Sequence, residues 1–323
     1  MNNNGYVLLT GSANIKLARD IASILKKPVH EIVSKFSDGE KRIVIPENLR
    51  RRQVYIIQPT SPDVDSHIME LLFMIDAAKR ASASEITAVV PYFGYARQDR
   101  KDRARVPISS ALIAELIEHA GAHRIVTIDI HAEQAQGFIR GPWDNLYSSY
   151  TFIPVLKHKF NKNLVIASPD KGGVLKTTFY AEKLNADGIA IVFKERDVVT
   201  ANRSKALDMI GNVRGKDVLL VDDMIDTAGT LCGAAELIMQ RGAKSISAVA
   251  THGVFSGPAL RRINKSPLQE VYVTDTVPLS KEALKNTKIK VVSIAKLLAQ
   301  AIQFSHEGES LSERLIPKTR RDE

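Results

Sequence analysis

Cysteine is almost missing from this chain: Cys232 is the single one in 323 residues, so no disulfide can form within it, as suits a reducing compartment. No apolar run approaches the ~20 residues that a membrane helix requires. The opening Met1-Asn-Asn-Asn-Gly5 carries neither the basic nor the apolar region of a secretory leader. A cytoplasmic protein without a membrane role is therefore expected. Aromatic residues are scarce, at 6%, and no nucleic-acid-binding module is recognisable. Both points weigh against nucleic acid as the reason for the net charge of +9; small polyphosphate substrates ask for the same basic excess. No G-x-G-x-x-G fingerprint occurs, and Gly211-Asn-Val-Arg-Gly-Lys216 has the wrong spacing for a P-loop.

What is present is ordinary for a soluble globular protein, with 44% hydrophobic and 25% charged residues over a length that suggests two domains. Strand and helix patterns alternate. Strands are predicted at Tyr6–Thr10, Ile43–Ile45, Val54–Gln58, Ile86–Val90 and Ile125–Ile130, with helices over Asn14–Lys26, Ile68–Ala83 and Ser109–His119. Polar and turn residues around Asp144–Ser149 place a boundary there, giving domains 1–148 and 149–323, the last helix of the second being free to pack on the first. The second half repeats the rhythm with strands Leu164–Ala167, Ile189–Phe193, Val218–Val221 and Ile246–Thr251, helix Val174–Leu184, and a last amphipathic helix Ile294–Phe304. The predicted fold class is α/β, with two similar domains, each a mainly parallel sheet flanked by helices. Ala83-Ser-Glu-Ile-Thr-Ala-Val-Val90 parallels Ala243-Lys-Ser-Ile-Ser-Ala-Val-Ala250, a faint internal repeat that two copies of one α/β unit would explain; chance likeness of buried strands is the alternative.

The stretch Val218-Leu-Leu-Val-Asp-Asp-Met-Ile-Asp-Thr-Ala-Gly-Thr230 is the most informative. An apolar strand breaks into Asp222 and Asp223; Asp226, Thr227, Ala228, Gly229 and Thr230 follow, and then an alanine-rich helix runs to Arg241. Backbone N–H groups and the helix dipole at such a loop favour an anion. The paired acids would repel a bare phosphate. They suit a phosphorylated sugar, whose hydroxyls donate to carboxylates, or a nearby metal ion. An acidic cap on an ordinary helix would be the better reading of a lone Asp-Asp; two acids, then Asp-Thr-x-Gly-Thr, directly after an apolar strand, are much more specific.

Four further stretches follow apolar segments. Phe36-Ser-Asp-Gly-Glu40 needs no purpose beyond its Asp-Gly turn, although Asp38 and Glu40 could accept from a nucleotide's amine or hydroxyls and Phe36 could stack on its base. Pro91-Tyr-Phe-Gly-Tyr-Ala-Arg-Gln-Asp-Arg-Lys101 sets aromatics beside Arg97 and Arg100 at a strand end, where open α/β sheets bind ligands. Asp129-Ile-His-Ala-Glu-Gln134 holds His131, and Ser168-Pro-Asp-Lys-Gly-Gly173 holds Asp170 in an acid-then-glycine loop. In Phe193-Lys-Glu-Arg-Asp-Val198, Lys194 and Arg196 alternate, so both face one side if the segment is extended, and a polar loop to Ala206 follows.

Together these motifs, in this order, resemble the phosphoribosyltransferase family and, within it, the ribose-phosphate diphosphokinases. The resemblance runs from Phe36 to about Ser312. It implies transfer of the pyrophosphoryl group of ATP to the 1-hydroxyl of ribose 5-phosphate. It assigns the adenine to Phe36, Asp38, Gly39 and Glu40, and the triphosphate to Arg97 and Gln98. Ribose 5-phosphate falls to Arg196, Asp222, Asp223, Asp226, Thr227, Ala228, Gly229 and Thr230. Magnesium falls to His131 and Asp170, and catalysis to Lys194 and Arg196 on a flexible loop. It also implies a homo-oligomer, commonly a hexamer, with phosphate activation and ADP inhibition, and Ser310-Leu-Ser312 matches regulatory serines of that family.

The chain departs from the family pattern in places. Ala228 replaces a glycine, and a negative φ is expected there if alanine is to be tolerated. Glu195 and Asp197 replace a basic residue and a proline in a loop about two residues longer, and the stretch Asp102–Arg105 is about one shorter. A regulatory relative without turnover, or a phosphoribosyltransferase that consumes phosphoribosyl pyrophosphate, are the competing readings. The Phe36 and Arg97 stretches weigh against the latter, which needs no ATP site.

Overall fold

The computed structural model describes residues 5–160, 162–194 and 207–315, with Lys194 and Leu207 described by their backbone. They form two compact units. One comprises residues 5–148, 276–278 and 293–315; the other comprises the described residues of 149–275 and 279–292. The last helices of the chain group with the first unit.

The first unit contains β1 (Val7–Thr10), α1 (Ile15–Leu25), β2 (Val29–Glu31), β3 (Val33–Lys35), β4 (Lys41–Ile43), β5 (Gln53–Ile57), α2 (Val64–Arg80), β6 (Glu85–Val90), α3 (Ser109–Ala120), β7 (Arg124–Ile128) and β8 (Trp143–Leu146). Six strands pair in the order β2-β1-β5-β6-β7-β8, every pairing parallel, and β3 and β4 form a separate antiparallel hairpin. Strands buried on both faces read as continuous apolar runs, which is why β5 and β6 were legible. β8 was not. Its polar residues lie on an edge strand, where Asn145 Oδ1 accepts from Ile130 N (3.0 Å) and Asp144 pairs with Arg124.

The second unit contains α4 (Ser149–Lys159), β9 (Leu164–Ser168), α5 (Val174–Leu184), β10 (Gly188–Lys194), β11 (Leu207–Ile210), β12 (Asp217–Ile225), α6 (Gly229–Gln240), β13 (Ser245–Gly253), α7 (Ala259–Lys265), β14 (Leu268–Thr274), α8 (Lys281–Lys285) and β15 (Ile289–Val292). Its sheet runs β11-β10-β9-β12-β13-β14-β15, parallel except for the β10–β11 edge pair. The chain then adds α9 (Ala295–Glu307) and α10 (Leu311–Leu315) to the first unit. There Leu297, Leu298, Ala301 and Ile302 bury against Leu17, Ala18 and Ile21 of α1.

Leaving aside the extra edge strand β11, the two parallel sheets have one topology: β2-β1-β5-β6-β7-β8 matches β10-β9-β12-β13-β14-β15. The two halves of the faint sequence repeat occupy β6 and β13, which are matching places in this order. One α/β plan is built twice. Each β-strand that feeds a helix therefore ends in a loop at the carboxyl edge of its sheet, where ligands of open α/β sheets are held.

Candidate active site

The acidic loop is longer in strand than its sequence suggests. β12 does not stop at Val221 but continues to Ile225, because β13 keeps pairing beside it, with Asp222 opposite Ala250 and Met224 opposite His252. Asp222 and Asp223 therefore project from a strand end rather than from a free loop. Successive strand residues face opposite sides, yet the Asp223 N–H donates to Asp222 Oδ1 at 2.9 Å, which draws the Asp222 carboxylate back along the chain. Burial pushes the Asp222 carboxyl well above its usual range, helped by the negative charges of Asp223 and, further off, Asp170.

The turn into α6 is fixed from outside. Val254 N and Phe255 N both donate to Ile225 O at 3.0 Å, and Ser256 N donates to Asp226 O at 3.0 Å. Arg262 of α7 donates from Nη1 to Thr227 O at 2.9 Å. A Cβ built on Gly229 would lie 3.5 Å from that same Nη1, so the guanidinium lies against the loop. Sequence reading missed Arg262; it is about 35 residues downstream, and only tertiary packing brings it back. Thr227, Gly229 and Thr230 are exposed, and the first-turn N–H groups of α6 have no acceptor within the helix.

The negative φ expected for Ala228 is overturned: it adopts φ 58° and ψ 14°, the left-handed region, as N-cap of α6. Such a conformation costs alanine about 1–2 kcal/mol. It persists because Ile225 and Asp226 are tied to 254–256 on one side and the Ala228 side chain is buried on the other.

In the same unit, Asp170 is exposed in the loop after β9, and its Oδ1 accepts from Gly172 N at 2.8 Å. The Ser168 hydroxyl donates to Asp170 O at 2.6 Å and fixes that turn. Lys194 is the last residue of β10; Arg196, Glu195, Asp197 and the rest of the polar loop, like the tail beyond Leu315, lie outside the described residues.

In the first unit, Phe36, Asp38, Gly39 and Glu40 form the exposed turn of the β3–β4 hairpin. Phe36 N donates to Glu40 O (2.9 Å), and Glu40 N donates to Asp38 Oδ1 (3.0 Å). Gly39 takes φ 97°, which only glycine adopts readily. The Phe36 ring is 50% exposed, with the Arg42 guanidinium 5.8 Å from its centre, so one aromatic face is available for stacking. Arg97 and Gln98 are exposed beyond β6, and the Gln98 side chain accepts from Ser109 Oγ at 2.6 Å. The neighbouring aromatics do not share that exposure. Tyr92 and Phe93 are buried, with Phe93 packed 5.1 Å from Trp143, so they anchor the loop to the core.

His131 is exposed three residues beyond β7. The preceding Asp129 is buried at φ 41° and accepts from Ser148 N at 2.9 Å, which turns the chain so that His131 emerges. Glu133 accepts from the Tyr147 hydroxyl at 3.0 Å; burial and that carboxylate push the phenol up to about 12. Ser310, matched to a regulatory serine, caps α10, its Oγ accepting from Glu313 N at 3.3 Å.

No group of three or more His, Cys, Asp or Glu side chains among the described residues gathers tightly enough to hold a metal by itself. Burial and the negative charges of Asp223 and Asp170 disfavour ionisation of Asp222, and a divalent cation near these carboxylate oxygens would offset that. No helix is long and apolar enough to cross a membrane among the described residues.

Residues 6–121 match the N-terminal domain of ribose phosphate pyrophosphokinase, and 197–315 match the phosphoribosyl synthetase-associated domain. The chain is 49% identical over 313 residues to the ribose-phosphate pyrophosphokinase of Wolinella succinogenes, covering 97% of this chain and 99% of that protein. It is 50% identical over 315 residues to that of Caldanaerobacter subterraneus subsp. tengcongensis, covering 96% and 97%. The crystal structure of phosphoribosylpyrophosphate synthetase from Mycobacterium smegmatis superposes with a TM-score of 0.88 at 36% identity, over 94% of this chain and 99% of that one. The chain therefore belongs to the ribose-phosphate pyrophosphokinase family.

Proposed function

We propose that this chain is an enzyme that converts ATP and ribose 5-phosphate to AMP and 5-phosphoribosyl 1-pyrophosphate, a step of nucleotide biosynthesis. The carrying observation is the β12–α6 turn, where exposed Thr227, Gly229 and Thr230 at a helix start follow Asp222 and Asp223 on a strand end. The helix start takes the 5-phosphate, with hydroxyl donors from Thr227 and Thr230. The carboxylates of Asp222, Asp223 and Asp226 accept from the ribose hydroxyls. These bonds hold the sugar by two chemistries, so neither free phosphate nor unphosphorylated ribose fills the site as well.

The purine lies on Phe36, with Asp38, Gly39 and Glu40 at its edge, and Arg97 and Gln98 meet the triphosphate. The 1-hydroxyl oxygen of ribose 5-phosphate bonds to the β-phosphorus, the bond from that phosphorus to the oxygen of the α-phosphate breaks, AMP leaves, and the hydroxyl proton passes to solvent. Such transfers rest on alignment and on stabilising negative charge spread over phosphoryl oxygens. Lys194 and Arg196 supply that stabilisation; Arg196 also meets ribose 5-phosphate. His131 and Asp170 would each offer a contact for magnesium, which would supply countercharge for the phosphates; Mg²⁺ typically keeps several waters and few protein ligands.

A coupled assay for AMP release from ATP, ribose 5-phosphate and magnesium tests the reaction; no turnover by folded protein would leave the non-catalytic regulatory reading. Lys194→Ala is expected to cut kcat by orders of magnitude while ribose 5-phosphate binding, read by calorimetry, barely moves. A homohexamer, phosphate activation and ADP inhibition complete the proposal and are read by light scattering and by titrating each anion into the assay. The buried free thiol of Cys232 suits the cytoplasm.

A further inference from the structure

We infer that Lys41 and Glu70 form a buried clamp that positions the adenine-binding hairpin, a role that rests on the proposed assignment of the purine to Phe36, Asp38 and Glu40. Glu70 of α2 is fully buried, which a carboxylate tolerates only when its oxygens are satisfied. Here they are. Oε2 accepts from Lys41 Nζ at 2.5 Å and from Ser12 Oγ at 2.8 Å; Oε1 accepts from Gln58 Nε2 at 2.9 Å and from Ser12 N. The Lys41 side chain is only 8% exposed and also donates to Ser66 O at 2.8 Å. A Cβ on Gly11 would lie 2.3 Å from the Gln58 side chain and 2.4 Å from the carboxylate, so the backbone of the β1–α1 loop closes tightly over it.

This network has no place in the proposed chemistry, yet it ends one residue from the proposed purine contacts. Lys41 opens β4 immediately after Glu40. The hairpin has three residues in each strand and pairs with neither large sheet. Its turn is exposed throughout, so its aim is set by what holds its base. Lys41 ties that base to α2 through two bonds, and Glu70 ties the same point to the ends of β1 and β5 through Ser12 and Gln58. Displacement of a binding group by about 1 Å is enough to change rates by about 100-fold, so an anchor at this position acts on nucleotide affinity.

The test is steady-state kinetics on full-length Lys41→Met, Glu70→Gln and the double variant Lys41→Met/Glu70→Gln, beside Phe36→Ala. In Lys41→Met the expected result is a rise in KM for ATP of about tenfold, with kcat and KM for ribose 5-phosphate within about twofold, and a lower preference for ATP over GTP. Because a lone buried carboxylate destabilises the fold, the double variant, which has no buried charge left, carries the same expectation if Lys41→Met does not fold. An unchanged KM for ATP and unchanged base preference in the folded variant, while Phe36→Ala raises KM, overturns the clamp alone. An unchanged KM in Phe36→Ala as well overturns the purine assignment beneath it, and no turnover in the unaltered protein overturns the activity.

Discussion

The loops β5–α2 and β12–α6 hold matching places in two sheets of one topology, and each enters its helix through a left-handed N-cap, Asp63 at φ 56° and Ala228 at φ 58°. The backbone plan is shared, and the side chains decide its use. In the first unit the loop spends its polar groups internally. Thr60 Oγ accepts from Gly94 N at 2.6 Å, the Gln58 side chain is locked onto Glu70, and Pro59 and Pro62 bring no N–H at all. Asp65 adds a negative charge to the first turn of α2, where the dipole would otherwise draw an anion, and accepts from the Tyr95 hydroxyl. In the second unit no acid stands in the first turn of α6, small exposed residues line it, and the acids sit one step back on the strand. On the proposed reading of β12–α6, an anion site is a matter of which donors are left unspent, and a duplicated fold can fill one copy and open the other.

The sharpest way to break that contrast is to remove a carboxylate from each copy. Asp223→Ala should lower kcat/KM for ribose 5-phosphate by about 100-fold, since the sugar loses charge-assisted acceptors. Asp63→Asn, in the matching loop, should stay within about twofold in the same assay. Equal losses would mean that both loops serve the sugar.

Arg262→Ala removes the guanidinium that lies against the open loop. It should raise KM for ribose 5-phosphate by about fivefold, the scale of one exposed hydrogen bond, with KM for ATP unmoved. Isothermal titration with ribose 5-phosphate alone gives the same answer free of turnover.

Asp222 and Glu70, one carboxyl from each unit, should respond to pH in opposite senses. Asp222 has its folded pKa raised, so the native state holds a proton longer than the unfolded chain, and stability falls as pH rises from the ordinary Asp range through the raised value. Asp222→Asn should therefore raise Tm by several degrees at neutral pH and lose that gain at acid pH, while impairing the sugar site, a stability–activity trade-off. Glu70 has a lowered folded pKa: burial raises it, but the bonds from Lys41 and Ser12 outweigh burial. Its stabilisation is present above the ordinary Glu range and is lost as pH falls through the lowered value. Glu70→Gln should therefore lower Tm at neutral pH. Differential scanning calorimetry across that range separates the two.

The smallest effects concern the two N-caps. Ala228→Gly should stabilise by about 1 kcal/mol, because glycine relieves the left-handed strain and gives back only part of it in chain entropy. Asp63→Gly should gain less, by a few tenths of a kcal/mol at most, because aspartate already visits that region. Denaturant unfolding followed by circular dichroism measures both.

Much of this architecture was legible in the chain. The doubly buried strands β5, β6 and β12 are apolar runs, and the amphipathic stripes of α1 and α9 carry their period. β8 escaped because an edge strand tolerates Asp144 and Asn145, which a search for apolar runs reads as a turn. The strand extension through Asp222 and Asp223 escaped because β13, not local propensity, keeps that segment paired. Tyr92 and Phe93 looked like partners of Arg97, and their burial appears only once Trp143 arrives from the far end of the unit.

Local order of residue types was enough to determine the α/β class and to single out the run of acids before small residues, since each depends on neighbours a few positions apart. Only the tertiary structure decided that Arg262 braces Thr227, that Ala228 takes a left-handed turn, and that Lys41 meets Glu70 in the interior. Those pairings join residues far apart in the chain, where hydrogen-bond geometry and desolvation decide partners that no local pattern encodes.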